Sequence, residues 1–287
     1  MKLIKDIIKG IVIGIANAVP GVSGGTMMVS MGIYDDIIYC ITHLFSQLKK
    51  SLKILAPYMV GMVVGIVGLA FAIEYLNTHF PFQTSMVFIG LILGGVPILW
   101  KRVRGEEKQH KLHLGHVIVF LLFCATIIIL GLPGIGQNSK DVVLTVGIIP
   151  GVLIFLVGIV ASATMVIPGV SGSMMLMLMG YYNPIIEAIT GFIKGAVKGD
   201  WHTVLMISGS LVPFGLGVVI GIFAIAKLIE ILLKKFESLT YCAILGLVVA
   251  SPVVILMKIP LHINGITLFT GAIALAAGGF VASHMSE

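Results

Sequence analysis

Apolar residues in this chain form long uninterrupted runs rather than the narrow stripes of a soluble helix. Runs at about Ile54 to Leu76, Thr84 to Trp100, Leu114 to Leu130, Val204 to Leu233, Leu239 to Leu256 and Ile263 to Val281 approach or exceed the roughly 20 residues a helix needs to cross a bilayer. They predict six full spans. Two further runs, Leu3 to Val19 and Val142 to Ile167, are interrupted by Pro20-Gly21-Val22-Ser23-Gly24-Gly25-Thr26 and by Pro168-Gly169-Val170-Ser171-Gly172-Ser173. Each resumes only briefly, to Gly32 and Gly180.

Proline has no amide donor and a fixed φ, and glycine favours helix ends, so both stretches should break a helix. A break at membrane depth is tolerated only where protein or water, not lipid, meets the freed backbone groups. Each stretch is therefore expected to be the tip of a re-entrant helical hairpin. The similarity extends beyond the motifs. At an offset of 148 residues Gly32 falls on Gly180, Tyr34 on Tyr182 and Ile37-Ile38 on Ile185-Ile186. At an offset of 156, Gly65 falls on Gly221, Glu74 on Glu230, Phe80 on Phe236 and Gly90 on Gly246.

The expected fold is thus an all-α polytopic membrane protein with two structural repeats, residues 1–136 and 137–287, in one membrane domain. Each repeat holds one re-entrant hairpin and about three transmembrane helices. Three spans are an odd number, so the repeats would be inverted, with hairpins entering from opposite faces. Tyr34 to Lys53 and the stretch up to Trp201 are mixed in polarity and expected at the interface.

Composition and charge narrow the class. The 287 residues are 58% hydrophobic and 10% charged, and the mean hydropathy is +1.13, against about 25% charged in a soluble domain. A formal charge of +6 would suggest nucleic acid in a soluble protein. Here the basic residues sit between apolar runs and report orientation. With a cytoplasmic N-terminus, Lys49 to Lys53, Lys101 to Lys111 and Lys234-Lys235 all fall inside, whereas Lys194, Lys198 and Lys258 fall outside, against the rule. Both termini are then cytoplasmic. Cys40, Cys124 and Cys242 are far apart and form no CxxC pair, the eight histidines form no HExxH or HxH pattern, and no metal or cofactor is implied. Neither a G-x-S-x-G elbow nor a Walker loop is present, and no catalytic group is assigned.

The chemistry lies in the two breaks. A half-helix starting near Ser23 offers the amides of Gly24, Gly25 and Thr26 and the positive end of its dipole, an environment that attracts anions. Gly21, Gly169 and Gly172 would let an oxyanion approach the backbone, and Ser23, Thr26, Ser171 and Ser173 would add hydroxyl donors. Phosphate is the anion that suits this set. Asn17 would add an amide donor, and Met165 occupies its place in the second copy. The alternative is that small residues at both breaks merely permit tight helix packing. Glu74 and Glu230, with Lys227 one turn before the latter, are candidates for proton coupling, or else interfacial residues at span ends. Met27, Met28 and Met31, echoed by Met174, Met175, Met177 and Met179, could line a groove for a lipid tail or fill helix interfaces. Asp35 and Asp36 follow the first hairpin but face Asn183 and Pro184 in the repeat, so a loop role weighs at least as much for them as a functional one.

Three function classes fit: a lipid-phosphate translocase, a secondary transporter of a small soluble anion, and a membrane enzyme that hydrolyses or transfers lipid phosphates. Asn17-Ala18-Val19-Pro20-Gly21-Val22-Ser23-Gly24-Gly25-Thr26, with its later echo, resembles the bacterial polyprenyl-phosphate transporter family, formerly catalogued as a domain of unknown function. The resemblance covers nearly the whole chain. It implies a flippase of the bacterial cytoplasmic membrane that returns undecaprenyl phosphate, the lipid carrier of cell-wall sugars, from the outer to the inner leaflet.

Overall fold

The computed structural model describes residues 2–18, 23–68, 75–76, 78–105, 112–132, 141–257, 259 and 264–285. The regular elements among them are helices: α1 (Lys2–Ala18), α2 (Gly24–Ser30), α3 (Tyr34–Thr42), α4 (Leu48–Val63, extended by a π-helical turn Val64–Gly68), α5 (Pro81–Arg104) and α6 (Leu114–Gly131). Then follow α7 (Ile148–Val166), α8 (Gly172–Leu178), α9 (Tyr182–Lys198), α10 (Trp201–Lys235), α11 (Glu237–Met257) and α12 (Gly265–Met285). Among the described residues, seven helices are long and apolar enough to cross a membrane. Six correspond to the expected spans. The seventh is α7, the arm that leads into the second motif.

Some boundaries differ from the sequence expectation. Helix α4 starts at Leu48, before the apolar run, because Lys49, Lys50 and Lys53 favour helix and hold their charges outward. The 35-residue α10 likewise absorbs polar turns at both ends. Residues 141–146 are not helical, and Val142 donates its amide to the Gly180 carbonyl at 3.0 Å. The mixed stretches form the amphipathic helices α3 and α9.

The chain divides into two compact units: Met1–Leu132 with Ile167–Val170 and Ala226–Glu287, and Pro133–Val166 with Ser171–Ile225. In the first, α1 lies on α4 at backbone contact. A Cβ on Gly61 would sit 2.1 Å from the Ile7 carbonyl oxygen, and one on Gly10 2.3 Å from that of Tyr58. Helix α5 packs against the last helix, with a Cβ on Gly90 reaching 2.1 Å from the Leu275 oxygen. Helix α11 packs against α6, where Gly246 meets the Phe120 oxygen in the same way. Helices from the second half of the sequence thus close on helices from the first. Ile127, Val170, Leu247, Ala250 and Val254 form a buried cluster here.

In the second unit, α7 lies against the first part of α10. A Cβ on Gly217 would sit 2.0 Å from the Phe155 oxygen and one on Gly158 2.4 Å from the Phe214 oxygen. Its core is Val157, Ala161, Leu176 and Ile185.

These two helix pairs match residue for residue. Ile7, Gly10 and Ile11 correspond to Phe155, Gly158 and Ile159 at the first offset, and Pro57, Tyr58, Gly61 and Gly65 to Pro213, Phe214, Gly217 and Gly221 at the second. Small residues let the backbones meet, and close carbonyl contacts replace side-chain interdigitation. The short helices match as well. α2 and α8 each have seven residues, begin at an extended serine (Ser23 φ −108°, ψ 130°; Ser171 φ −97°, ψ 123°) and end before a left-handed glycine (Gly32 φ 68°, Gly180 φ 75°).

Candidate functional site

The first motif closes one of its own helix-start amides. Residues 19–22, and with them Gly21, lie outside the described residues. The Gly24 amide donates to Asn17 Oδ1 at 3.2 Å. Asn17 was expected to add a donor and Gly24 to offer a free amide. Instead, the Asn17 oxygen accepts from one of the amides that a helix start leaves unpaired. Ser23, Gly24, Gly25 and Thr26 are all buried, Thr26 completely.

Thr26 reaches the second motif. Its Oγ1 accepts a hydrogen bond from the Gly169 amide at 2.7 Å. Gly169 has φ 83°, and a Cβ there would lie 2.7 Å from the Leu247 carbonyl oxygen, so both conformation and space require glycine. Further along the second motif, the hydroxyls of Ser171 and Ser173 are 2.8 Å apart. Gly172 packs on Met165 as Gly24 packs on Asn17, so this copy has a thioether where the first has an amide.

Of the ten residues proposed from sequence to hold an anion, six are therefore joined in three pairs: Asn17 with Gly24, Thr26 with Gly169, and Ser171 with Ser173. The pairing of the motifs through Thr26 had no sequence signal, because Met174 stands at its repeat position.

The candidate coupling acid Glu230 is 5% exposed. Its carboxylate binds Lys227 at 2.8 Å and Lys234 at 2.5 Å, with His43 Nδ1 at 4.0 Å. It is a buried carboxylate held by two cations whose stems reach out of the core. Glu74 lies outside the described residues. Beside Glu230 a mixed-charge cavity of about 460 Å³ is lined also by Asp35, Tyr39, Arg102 and Tyr241. Asp35 and Asp36 lie in the first turn of α3 rather than in a loop. Asp35 accepts a short hydrogen bond from the Tyr241 hydroxyl and lies 4.0 Å from Arg102. Sequence reasoning missed this cluster, since Tyr241 is embedded in an apolar run.

A second cavity, of about 340 Å³, is apolar and lies between α1 and α5. Met27 and Met31 are not part of a tail groove; at 0% and 2% exposed they fill the interior.

Helices broken at paired motifs within a set of bilayer-length apolar helices define a multi-pass α-helical membrane protein. The chain belongs to the undecaprenyl phosphate translocase-like family, whose pattern it matches over residues 13–264. It is 30% identical to the polyprenyl-phosphate transporter of Staphylococcus aureus over 259 residues, covering 90% of this chain and 88% of that protein. It is 28% identical to the polyprenyl-phosphate transporter of Vibrio cholerae over 271 residues, covering 88% of this chain and 77% of that one. No solved structure matches.

Proposed function

We propose that this protein is a lipid-phosphate translocase that moves undecaprenyl phosphate, or a polyprenyl phosphate of the same kind, from the outer to the inner leaflet of the bacterial cytoplasmic membrane for carrier recycling. Family membership over residues 13–264 carries the substrate class, and the curated relatives are named for polyprenyl-phosphate transport. In this reading residues 1–136 and 137–287 are inverted repeats, and the motifs are tips of re-entrant hairpins. Rocking of one repeat against the other would carry the headgroup while the tail stays in lipid. The matched helix pairs, serine caps and left-handed glycines support the duplication.

The internal pairs at the motifs fit a site that exchanges partners. A hydrogen bond between neutral groups contributes about 0.5 to 1.5 kcal/mol and one to a charged group about 1.5 to 3. A phosphate would therefore compete for the amides of Gly24 and Gly169, with Gly25 and the Ser23 hydroxyl beside them in the first unit, while Ser171, Gly172 and Ser173 are the groups that the second unit offers an anion.

Moving a negative headgroup inward works against an inside-negative potential by about 2.3 kcal/mol per charge per 100 mV. A co-transported proton would offset that cost, with Glu74 and Glu230 as its carriers, Glu230 taking up a proton only when Lys227 and Lys234 leave its carboxylate.

Purified protein in vesicles distinguishes the classes. The lipid translocase moves undecaprenyl phosphate intact, without phosphate release and without uptake of soluble phosphate. Phosphate release would identify an enzyme, and uptake of soluble phosphate a small-anion transporter.

A further inference from the structure

The apolar cavity of the first unit lies between α1 and α5, the two helices against which α2 packs. Helix α2 runs antiparallel to α1. Near its C-terminal end the Met31 carbonyl accepts a hydrogen bond from Lys9 Nζ at 3.3 Å, and at its N-terminal end Gly24 meets Asn17. Val12 and Ile15, which line the cavity, fall on α1 between those two anchors. On the other side Ser30 packs on Gly95 of α5, and the lining residues Leu91, Phe88, Val87 and Phe80 follow from Gly95 back along α5. The cavity walls therefore belong to the same two helices, and to the same stretch of α1, that anchor α2, a helix about 10 Å long for its seven residues.

Its walls offer almost nothing but hydrocarbon. Of the two polar residues that line it, Thr84 donates its hydroxyl to the carbonyls of Phe80 at 2.8 Å and Leu76 at 3.2 Å, and the Gln83 amide donates to Thr270 at 3.0 Å. That leaves the rest of the Gln83 amide as the polar side-chain group for a water or a soluble anion, fewer partners than either needs. At about 340 Å³ the cavity is at the small end for ligand sites, which run from roughly 300 to 1,000 Å³, so it takes a short stretch of chain rather than a whole polyprenyl tail. Phe80 and Phe88 present aromatic rings to that stretch, which suits a methyl-branched, unsaturated chain better than a thin saturated one.

We propose that this cavity holds the isoprene units nearest the phosphate of the transported lipid and selects isoprenoid over straight-chain phosphates. The assignment rests on the lipid-phosphate reading above, and it names the residues that recognise the tail: Val12, Ile15, Phe80, Val87, Phe88 and Leu91.

The test is photo-crosslinking of the purified full-length protein with a diazirine-bearing farnesyl phosphate, followed by peptide mapping and competition with unlabelled farnesyl or dodecyl phosphate. Label is expected on Val12 to Ile15 and on Phe80 to Leu91, with farnesyl phosphate competing at about tenfold lower concentration because each extra buried methyl adds to the apolar area removed from water. Ile15→Trp, which fills the cavity, should lower labelling about tenfold at an unchanged thermal midpoint. Phe80→Ala, at a half-exposed position, provides a second variant if the first misfolds. Label confined to other segments, or equal competition by dodecyl phosphate, would overturn the assignment. Label in the cavity without lipid movement in vesicles would instead retain the tail site and refute transport.

Discussion

Thr26, completely buried in α2, accepts a hydrogen bond from the Gly169 amide at 2.7 Å across 143 positions of sequence, and this bond ties the first motif to the second. The two motifs are chemically unequal partners in it. One contributes a side-chain acceptor and the other a backbone donor held in a left-handed turn, so exchange of this bond for a ligand would change both motifs together.

Thr26→Val keeps the shape and removes the acceptor. The Gly169 amide is then left without its partner, at a cost of about 1 to 3 kcal/mol. Thermal unfolding should show the loss, and Thr26→Ser should restore most of it. Equal midpoints for the wild type and Thr26→Val would mean that the bond contributes nothing in the folded protein.

Ser23→Leu and Ser171→Leu fill the proposed anion cradle and remove a hydroxyl. Transport of lipid phosphate should fall about tenfold or more relative to folded protein, the equivalent of one hydrogen bond to a charged group. Normal transport by both variants would leave the motifs as packing devices only.

The glycine contacts make paired predictions. Gly61→Leu and Gly217→Leu should each sharply lower the yield of folded protein, because both drive a side chain into a carbonyl of the neighbouring helix. Gly115→Ala, where nothing lies within 4 Å, should be tolerated. Solubilised yield on size-exclusion chromatography reads all three, and tolerance of both leucines would contradict the close approach.

Glu230→Gln should leave lipid binding intact and abolish the dependence of transport on a pH gradient, if this carboxylate takes part in the charge cycle. Lys227 and Lys234 are 56% and 65% exposed, so water can solvate them once the acid is gone, and the variant should fold. Unchanged pH dependence in Glu230→Gln, Glu74→Gln and the double variant would remove both acids from the mechanism.

Much of the fold was legible because bilayer length and hydrophobic runs dominate it. The six spans follow from apolar runs alone, and the seven-residue helices after each motif follow from Pro, Gly and Ser at matched positions. What escaped was long-range and polar. Helix α4 begins at Leu48 because lysine stems extend a helix beyond its apolar run. Asp35 pairs with Tyr241, which apolar neighbours disguise. Asn17 was singled out as a donor. Its oxygen is the atom used, because a helix start presents amides that need an acceptor. Thr26 was named as one hydroxyl among four, and nothing in a linear sequence pairs it with Gly169.

The central claim is movement of a lipid phosphate between leaflets, and leaflet-resolved transport in vesicles containing only this protein measures it directly. Undecaprenyl phosphate placed in the leaflet opposite the basic stretch Lys101 to Lys111, the expected outer leaflet, should become accessible on the other face at a rate proportional to the protein present, and Ser23→Leu should slow it. An unchanged rate with Ser23→Leu and Ser171→Leu combined would remove the motifs from the transport site, and the same rate in protein-free vesicles would contradict the translocase assignment.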